Sequence, residues 1–136
     1  MDHTNEKILK ILHHDSRTSL RQISNEVNLS TPSVRDRINK MLDLGMIQKY
    51  TIDIDYATLG YEIEILVDIT TSPAKSSYFN DFIQSQENVK FCYRVSGPSC
   101  YLFKAIFRNM KEVESFVETL KKYGSSKTFF ILSKIV

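Results

Sequence analysis

Six residues within one short stretch, Ser30, Thr31, Ser33, Arg35, Arg37 and Lys40, bring together hydroxyls, guanidinium forks and an ammonium. That mixture suits anions and base edges. Hydroxyls and N–H groups at a helix N-terminus bond phosphate or base edges, and Arg or Lys one or two turns later reads guanine or clamps a backbone. No Ser-His-Asp set, paired acids or glycine-rich phosphate loop occurs elsewhere in the chain.

The stretch is positioned by two short helices with separate start signals. Ser19 and Gln22 form a Ser-x-x-Gln capping pair, and Leu20, Ile23 and Val27 follow on one face, with small Ser24 where the two helices come closest. Asn28 stands where a tight turn needs a left-handed residue, and Leu29 points to the core. Ser30 caps the next helix, whose first turn accepts Pro32. At 100° per residue Val34, Ile38 and Met41 share one side, flanked by Leu42. Ser33, Asp36 and Lys40 lie opposite, with Arg35 and Arg37 on the margins. The spacing from Leu20 to Asn39 is that of a helix-turn-helix. A plain amphipathic helix with a solvated face would show the same residues, and Asp36 costs affinity for DNA unless it pairs with a neighbour or accepts from a cytosine amine.

A helix before this pair, capped by Asn5, carries Ile8, Leu9, Ile11 and Leu12 inward and ends at His13 and His14, where an imidazolium suits the negative terminus. After Gly45 the run 46–54 reads as extended: a short wing strand, then a connecting strand. The turn-rich stretch 55–60 marks a joint. The expected division is 1–47 as a winged helix-turn-helix, 48–60 as wing and linker, and 61–136 as a dimerisation and effector domain.

The second half changes period. Ile63, Ile65, Val67 and Ile69 alternate with Glu62, Glu64 and Asp68, and a helix over 75–86 follows with Phe79, Phe82 and Ile83 inward. Two further alternating runs, 89–96 and 101–107, flank the turn Gly97-Pro98-Ser99, with Val89, Phe91, Tyr93 and Val95 expected on one face of the first. Asn109 and Glu112 start a last helix, which Gly124 is expected to stop, before a strand over 126–136. The order is βαββαβ, so the fold class is α+β: an N-terminal winged helix-turn-helix plus a C-terminal ferredoxin-like sandwich. Residues of the opposite parity, Leu66, Cys92, Leu102, Ile106, Phe130 and Leu132, are too apolar for a solvent face and predict sheet-on-sheet dimerisation.

Composition is that of a globular protein, at 42% hydrophobic residues in 136. No apolar run approaches the roughly 18 to 20 residues of a membrane span, and the first six residues lack the pattern of a signal peptide. The expectation is a cytoplasmic, nucleoid-associated protein. Cys92 and Cys100 lack partners at metal spacing and read as reduced packing residues. The net charge of +2 lies in the first 50 residues, with 8 Lys+Arg against 6 Asp+Glu, while the remainder has 10 of each. So mild a surplus points to double-stranded DNA gripped by more than one unit at a time.

The ordered series Ile8-Leu9-x-x-Leu12, Asp15-x-Arg17, Val27-Asn28-Leu29-Ser30-x-x-x-Val34-x-x-Arg37-Ile38, Gly45-Met46-Ile47-x-x-Tyr50 and Leu59-Gly60 resembles the Lrp/AsnC transcription regulators. The likeness continues through Tyr93-Arg94-Val95-Ser96-Gly97, Tyr101-Leu102 and Ser126-x-Thr128. It implies a regulator of amino-acid metabolism, a homodimer that builds tetramers or octamers, and no cofactor other than an amino-acid or other small-molecule effector. It also implies an effector site around Gly97, Ser99, Cys100, Tyr101 and Thr128. Where the family has Gly-x-x-Asp to hold the effector's amino group, this chain has Gly97-Pro98-Ser99-Cys100. A thiol cannot pair with an ammonium, and Pro98 lacks a donor. Effector binding is therefore lost, altered, or directed at a different molecule, and the size of the assembly stays open.

Three other readings share parts of the pattern. One is a ligand-independent architectural DNA binder of the same fold, and another is a sensor acting through a protein partner. The remote one is an enzyme resembling the sirohaem decarboxylases, which need histidines around a tetrapyrrole in the sheet domain. Here His3, His13 and His14 all lie in the first 14 residues.

Overall fold

A computed structural model describes residues 2–97 and 100–136. The chain divides into two compact units, Met1–Asp53 and Ile54–Val136.

The first unit holds α1 (His3–His14), α2 (Leu20–Val27) and α3 (Thr31–Asp43). Ile8, Ile23, Val34, Ile38 and Met41 form its core, with Leu9, Leu12, Leu20, Val27, Leu29 and Ile47 packed around them. The cap of α1 is Asp2, whose side chain accepts from the Thr4 N–H at 2.7 Å. The expected cap, Asn5, lies inside the helix, because the carboxylate three residues earlier supplies the acceptor first. Ser19 accepts from the Gln22 N–H at 3.1 Å and starts α2 as expected. The helix α3 ends in a Schellman arrangement: Gly45 at φ 74 lets its N–H reach Leu42 O and the Met46 N–H reach Met41 O.

The expected wing strand is not formed. Ile47 also donates to Met41 O, folding the chain onto the end of α3, and residues 48–55 then run outside any ladder. An extended segment becomes a strand only where a neighbour answers its N–H and C=O groups, and among the described residues of this chain none does. Tyr50, Ile52 and Ile54 are left exposed along it.

The second unit opens with a 3-10 turn, Tyr56–Leu59, fastened to the sheet region by two cations. Arg108 lies 4.2 Å from the Tyr61 ring centroid and donates to Leu59 O, and Lys90 lies 4.6 Å from that of Tyr56. The sheet follows as β1 (Ile63–Thr71), β2 (Val89–Arg94), β3 (Tyr101–Phe107) and β4 (Gly124–Phe130), all pairs antiparallel in the order β2-β3-β1-β4. The helices α4 (Pro73–Gln84) and α5 (Met110–Leu120) cover one side. Phe79 fills the centre, with its ring centroid 4.7 Å from that of Tyr101 and 6.1 Å from that of Phe103. Phe116 meets Phe103 and Phe107 from α5. Asn109 accepts from the Glu112 N–H as the cap of α5, while the Glu112 carboxylate reaches back to the Arg108 N–H.

The expected faces hold for β1 and β3 and fail for β2. A bulge lies between Val89 and Phe91, so two residues of β2 oppose the step that one would occupy. Cys92 therefore pairs with Phe103 on the helix side, and Phe91 and Tyr93 turn to the outer face beside Lys104 and Leu102. At β4 the register sets Phe129 opposite Leu66 on the outer face and Phe130 opposite Ile65. Cys92 and Phe130 are thus removed from the expected outer set, and Leu132 lies beyond the strand, fully exposed. Leu66, Leu102 and Ile106 keep their places, although Ile106 is already buried. Both cysteines are free, and burial pushes the Cys92 thiol up from its ordinary pKa, as suits a packing residue.

Gly124 does not stop α5, which ends at Leu120. It opens β4 where a Cβ would stand 2.0 Å from Thr70 O, so only glycine lets the two backbones approach. Gly124→Ala is expected to cost about 1 to 3 kcal/mol by overpacking. Urea denaturation followed by circular dichroism measures it, with the midpoint moving to lower urea at an unchanged slope.

Candidate nucleic-acid interface

The turn between α2 and α3 is three residues long. Asn28 takes φ 56 and ψ 44, its N–H bonds to Ser24 O, and buried Ser24 leaves room for α3 to cross close by. Asn tolerates this conformation because its short polar side chain offsets part of the steric cost that other L-residues meet. Ser30 then caps α3, its Oγ accepting from the Ser33 N–H at 3.3 Å. That bond occupies a lone pair and leaves the hydroxyl proton for an outside acceptor.

Burial of Val34, Ile38 and Met41 points the opposite side of α3 outward. Arg35, Asp36, Asn39, Lys40 and Asp43 are exposed there, and Thr31 and Ser33 are half-buried. Of the predicted residues, Ser33 and Lys40 lie on one side of the outward face beside Asp36 and Asp43, whereas Arg35 lies on the other margin near Leu12, Leu20 and Tyr50, with Thr31 on the same side by helical spacing and Ser30 at the cap. Two carboxylates lie among them, so the surface is mixed in sign rather than strongly basic.

Arg37 differs from the rest. Its Nη1 donates to Asp2 Oδ2 at 2.6 Å and to Asn5 Oδ1 at 3.1 Å, and its side chain is 31% exposed. Sequence reasoning missed Asp2 and Asn5 as partners. The usable signal was an Asp placed to cap a helix, since a capping carboxylate has a second oxygen to offer.

The residues of the expected effector site fall in two places. Gly97 is exposed at φ 106, and Cys100 donates from N to Ile69 O and from Sγ, at 3.7 Å, to Thr71 O. Tyr101 is buried, with its hydroxyl 2.9 Å from Ser76 Oγ. Thr128 is on β4 opposite Val67, on the far side of β1 from β3, so one chain does not bring it beside Tyr101. Ser99, with Pro98, lies outside the described residues. Among the described residues no His, Cys, Asp and Glu group could hold a metal.

A helix pair closed by a left-handed Asn, next in sequence to an antiparallel sheet domain with two helices on one side, is the arrangement of helix-turn-helix regulators with an attached α+β domain. Comparison with known proteins agrees in both halves. A family model for winged helix-turn-helix DNA-binding matches residues 1–48, and one for the Lrp/AsnC ligand binding domain matches residues 64–136. The HTH-type transcriptional regulator LrpC of Bacillus subtilis is 33% identical over 135 residues, which is 99% of this chain and 94% of that protein. Its structure superposes with a TM-score of 0.94 over 100% of this chain and 97% of that one. The regulator LrpA of Bacillus subtilis is 28% identical across 98% of this chain and 99% of its own. The fold is also that of the Neisseria meningitidis transcriptional regulator NMB0573, solved as a complex with L-Met, with a TM-score of 0.93 at 22% identity over 100% of this chain and 92% of that one. The chain belongs to the Lrp/AsnC family of HTH-type transcriptional regulators, and it is a DNA-binding regulator rather than an enzyme.

The Asp2–Arg37 pair has a definite pH signature. The side-chain hydrogen bond from Arg37, then the Thr4 N–H, hold the Asp2 carboxyl below its ordinary range. A carboxyl depressed in the folded state contributes stability above its unfolded pKa and loses it as pH falls through the folded value. Thermal melts of the protein and of its Asp2→Asn variant are expected to differ near pH 7 and to converge as the pH falls below the carboxylate range. A gap constant with pH would exclude the pairing.

Proposed function

We propose that the protein is a sequence-selective regulator of genes of amino-acid metabolism, acting as a dimer or a larger assembly of dimers. Ser30, Thr31, Ser33, Arg35 and Lys40 contact double-stranded DNA. Arg37 stands apart because Asp2 and Asn5 already engage it. Residues 1–47 read DNA, 48–60 link, and 61–136 pair the chains and sense an effector. The observation that carries this reading is the outward face of α3, presented at a helix N-terminus by the Asn28 turn. A dimer would set two such helices about one DNA turn, or a multiple of it, apart.

Two apolar surfaces support pairing. On the outer side of the sheet Leu66, Leu102, Phe91, Tyr93 and Phe129 lie side by side, with Tyr93 60% and Phe129 53% exposed. Along the linker Tyr50, Ile52 and Ile54 project from a backbone that lacks a ladder. Leu102→Asp, placed among these apolar groups, is expected to convert dimers to monomers in sedimentation velocity at micromolar concentration. A dimer that persists would reject the sheet as the pairing face.

An effector acts only if it binds two assembly states unequally. L-Met in the Neisseria structure supports an amino acid as the effector class. The Cys100 thiol, turned to Thr71 O, favours the second reading, that this chain works without an amino-acid effector. A random-sequence DNA selection with the purified protein, run with and without an amino-acid panel, decides between them. Enriched sequences and affinities that do not respond to any amino acid support the ligand-independent version. Arg35→Ala and Lys40→Ala are expected to weaken binding to the selected duplex, by about 1 to 3 kcal/mol where a base is read and evenly across sequences where a phosphate is held. Gel-shift midpoints unchanged in both would refute the α3 surface.

A further inference from the structure

On the helical wheel of α3, Arg37 sits between the buried stripe of Val34, Ile38 and Met41 and the exposed run of Ser33, Asp36 and Lys40. A guanidinium there could reach outward to a phosphate or back to the first turn of α1. It is turned back, with one bond to a carboxylate at 2.6 Å and one to an amide oxygen at 3.1 Å. Asp2 divides its two oxygens between tasks, Oδ1 capping α1 and Oδ2 holding Arg37. The contact joins residues 35 and 32 positions apart, so it fastens α3 to the start of α1 rather than to its own neighbours.

What such a fastening controls is roll. Three apolar residues on one stripe hold a helix against its core, but a turn of about 20° about its axis leaves them buried. On a helix of ordinary diameter that roll carries side-chain tips about 2 Å. Hydrogen bonds to base edges tolerate a few tenths of an ångström. A fork anchored at the margin of the stripe removes this freedom.

We infer that Arg37 is a positioning residue, with Asp2 and Asn5 as its acceptors, which fixes the rotation of α3 and touches neither base nor phosphate. This rests on the reading that the outward face of α3 meets DNA. Its consequence is a sign: loss of the acid Asp2 weakens DNA binding, although removal of a negative charge near a phosphate contact would strengthen it.

The test uses the full chain, the duplex recovered by DNA selection and a random-sequence duplex, titrated over a range of salt. Asp2→Asn keeps an N-cap of equal quality and removes the charge together with the second acceptor oxygen that holds Arg37, so circular dichroism should show the helices intact. Asn5→Ala removes the second acceptor without altering charge. Arg37→Ala and Asp2→Asn are both expected to weaken binding to the selected duplex by about tenfold, with the slope of log affinity on log salt unchanged. Asn5→Ala follows in the same direction, and the Asp2→Asn/Arg37→Ala double variant is no weaker than Arg37→Ala, as for residues acting as one unit. The inference is overturned if Arg37→Ala lowers the salt slope by about one per bound protomer while Asp2→Asn tightens binding, the behaviour of a phosphate contact. It is equally overturned if both variants bind like the parent. Lys40→Ala and Arg35→Ala tell the two levels apart: if neither matters, the reading of α3 falls and takes this inference with it. If they matter and Asp2→Asn does not, only the role of Arg37 falls.

Discussion

Between α2 and α3 the backbone has three residues in which to reverse its course, and the left-handed conformation at Asn28 makes this geometrically feasible. The turn then passes Leu29 into the core and presents Ser30 to cap the next helix. A longer or looser connection would still allow Val34, Ile38 and Met41 to be buried, but it would not define where the first turn of α3 ends up. Everything exposed on that helix inherits its position from this turn. Asn28 is the one non-glycine residue with positive φ among the described residues, so strain is admitted where the start of α3 is set.

The sheet unit solves a different problem. Seven aromatic rings, from Phe79, Phe82, Tyr101, Phe103, Phe107, Phe116 and Tyr123, interlock between the helices and the sheet and give that side of the sheet a core of its own. The other side is mixed: Glu64 and Lys104 pair at 3.3 Å amid Leu66, Leu102 and Phe91. Such a face can be covered by apolar contact while its charges fix how the cover is aligned, because an ion pair shielded from water tolerates little displacement.

Much of this was legible in the sequence because the signals were local and repeated. Caps at Ser19, Ser30 and Asn109, the alternation in 63–71, and the stripe in 34–41 each name an element without reference to the rest. What escaped depended on partners distant in sequence. Asn5 and Asp2 are both good caps, and only the presence of Arg37 across the unit shows what each does. Gly124 reads as a helix stop until Thr70 O is seen pressing on it. The run 46–54 has the alternation of a strand, but a strand is a relation between two segments, and one segment's sequence does not contain the other. At the expected effector site the missing carboxylate was plain from Cys100, whereas the inward turn of its thiol needed the position of Thr71.

The bulge at Lys90 is a single extra residue, and the whole composition of the sheet's two faces beyond it hangs on that residue. Drawing Lys90 into the ladder would restore strict alternation with every residue kept, moving Phe91 and Tyr93 under the helices and Cys92 to the outside, whereas deleting it would leave all three on the faces they occupy. A strand flattened in that way would force large rings into a packed core and set a small thiol where a broad aromatic surface had been. Loops elsewhere can gain or lose residues at small entropic cost, so relatives can drift in length at many points. In β2 one residue held out of the ladder is itself part of the information, because it decides which face every later residue of the strand occupies.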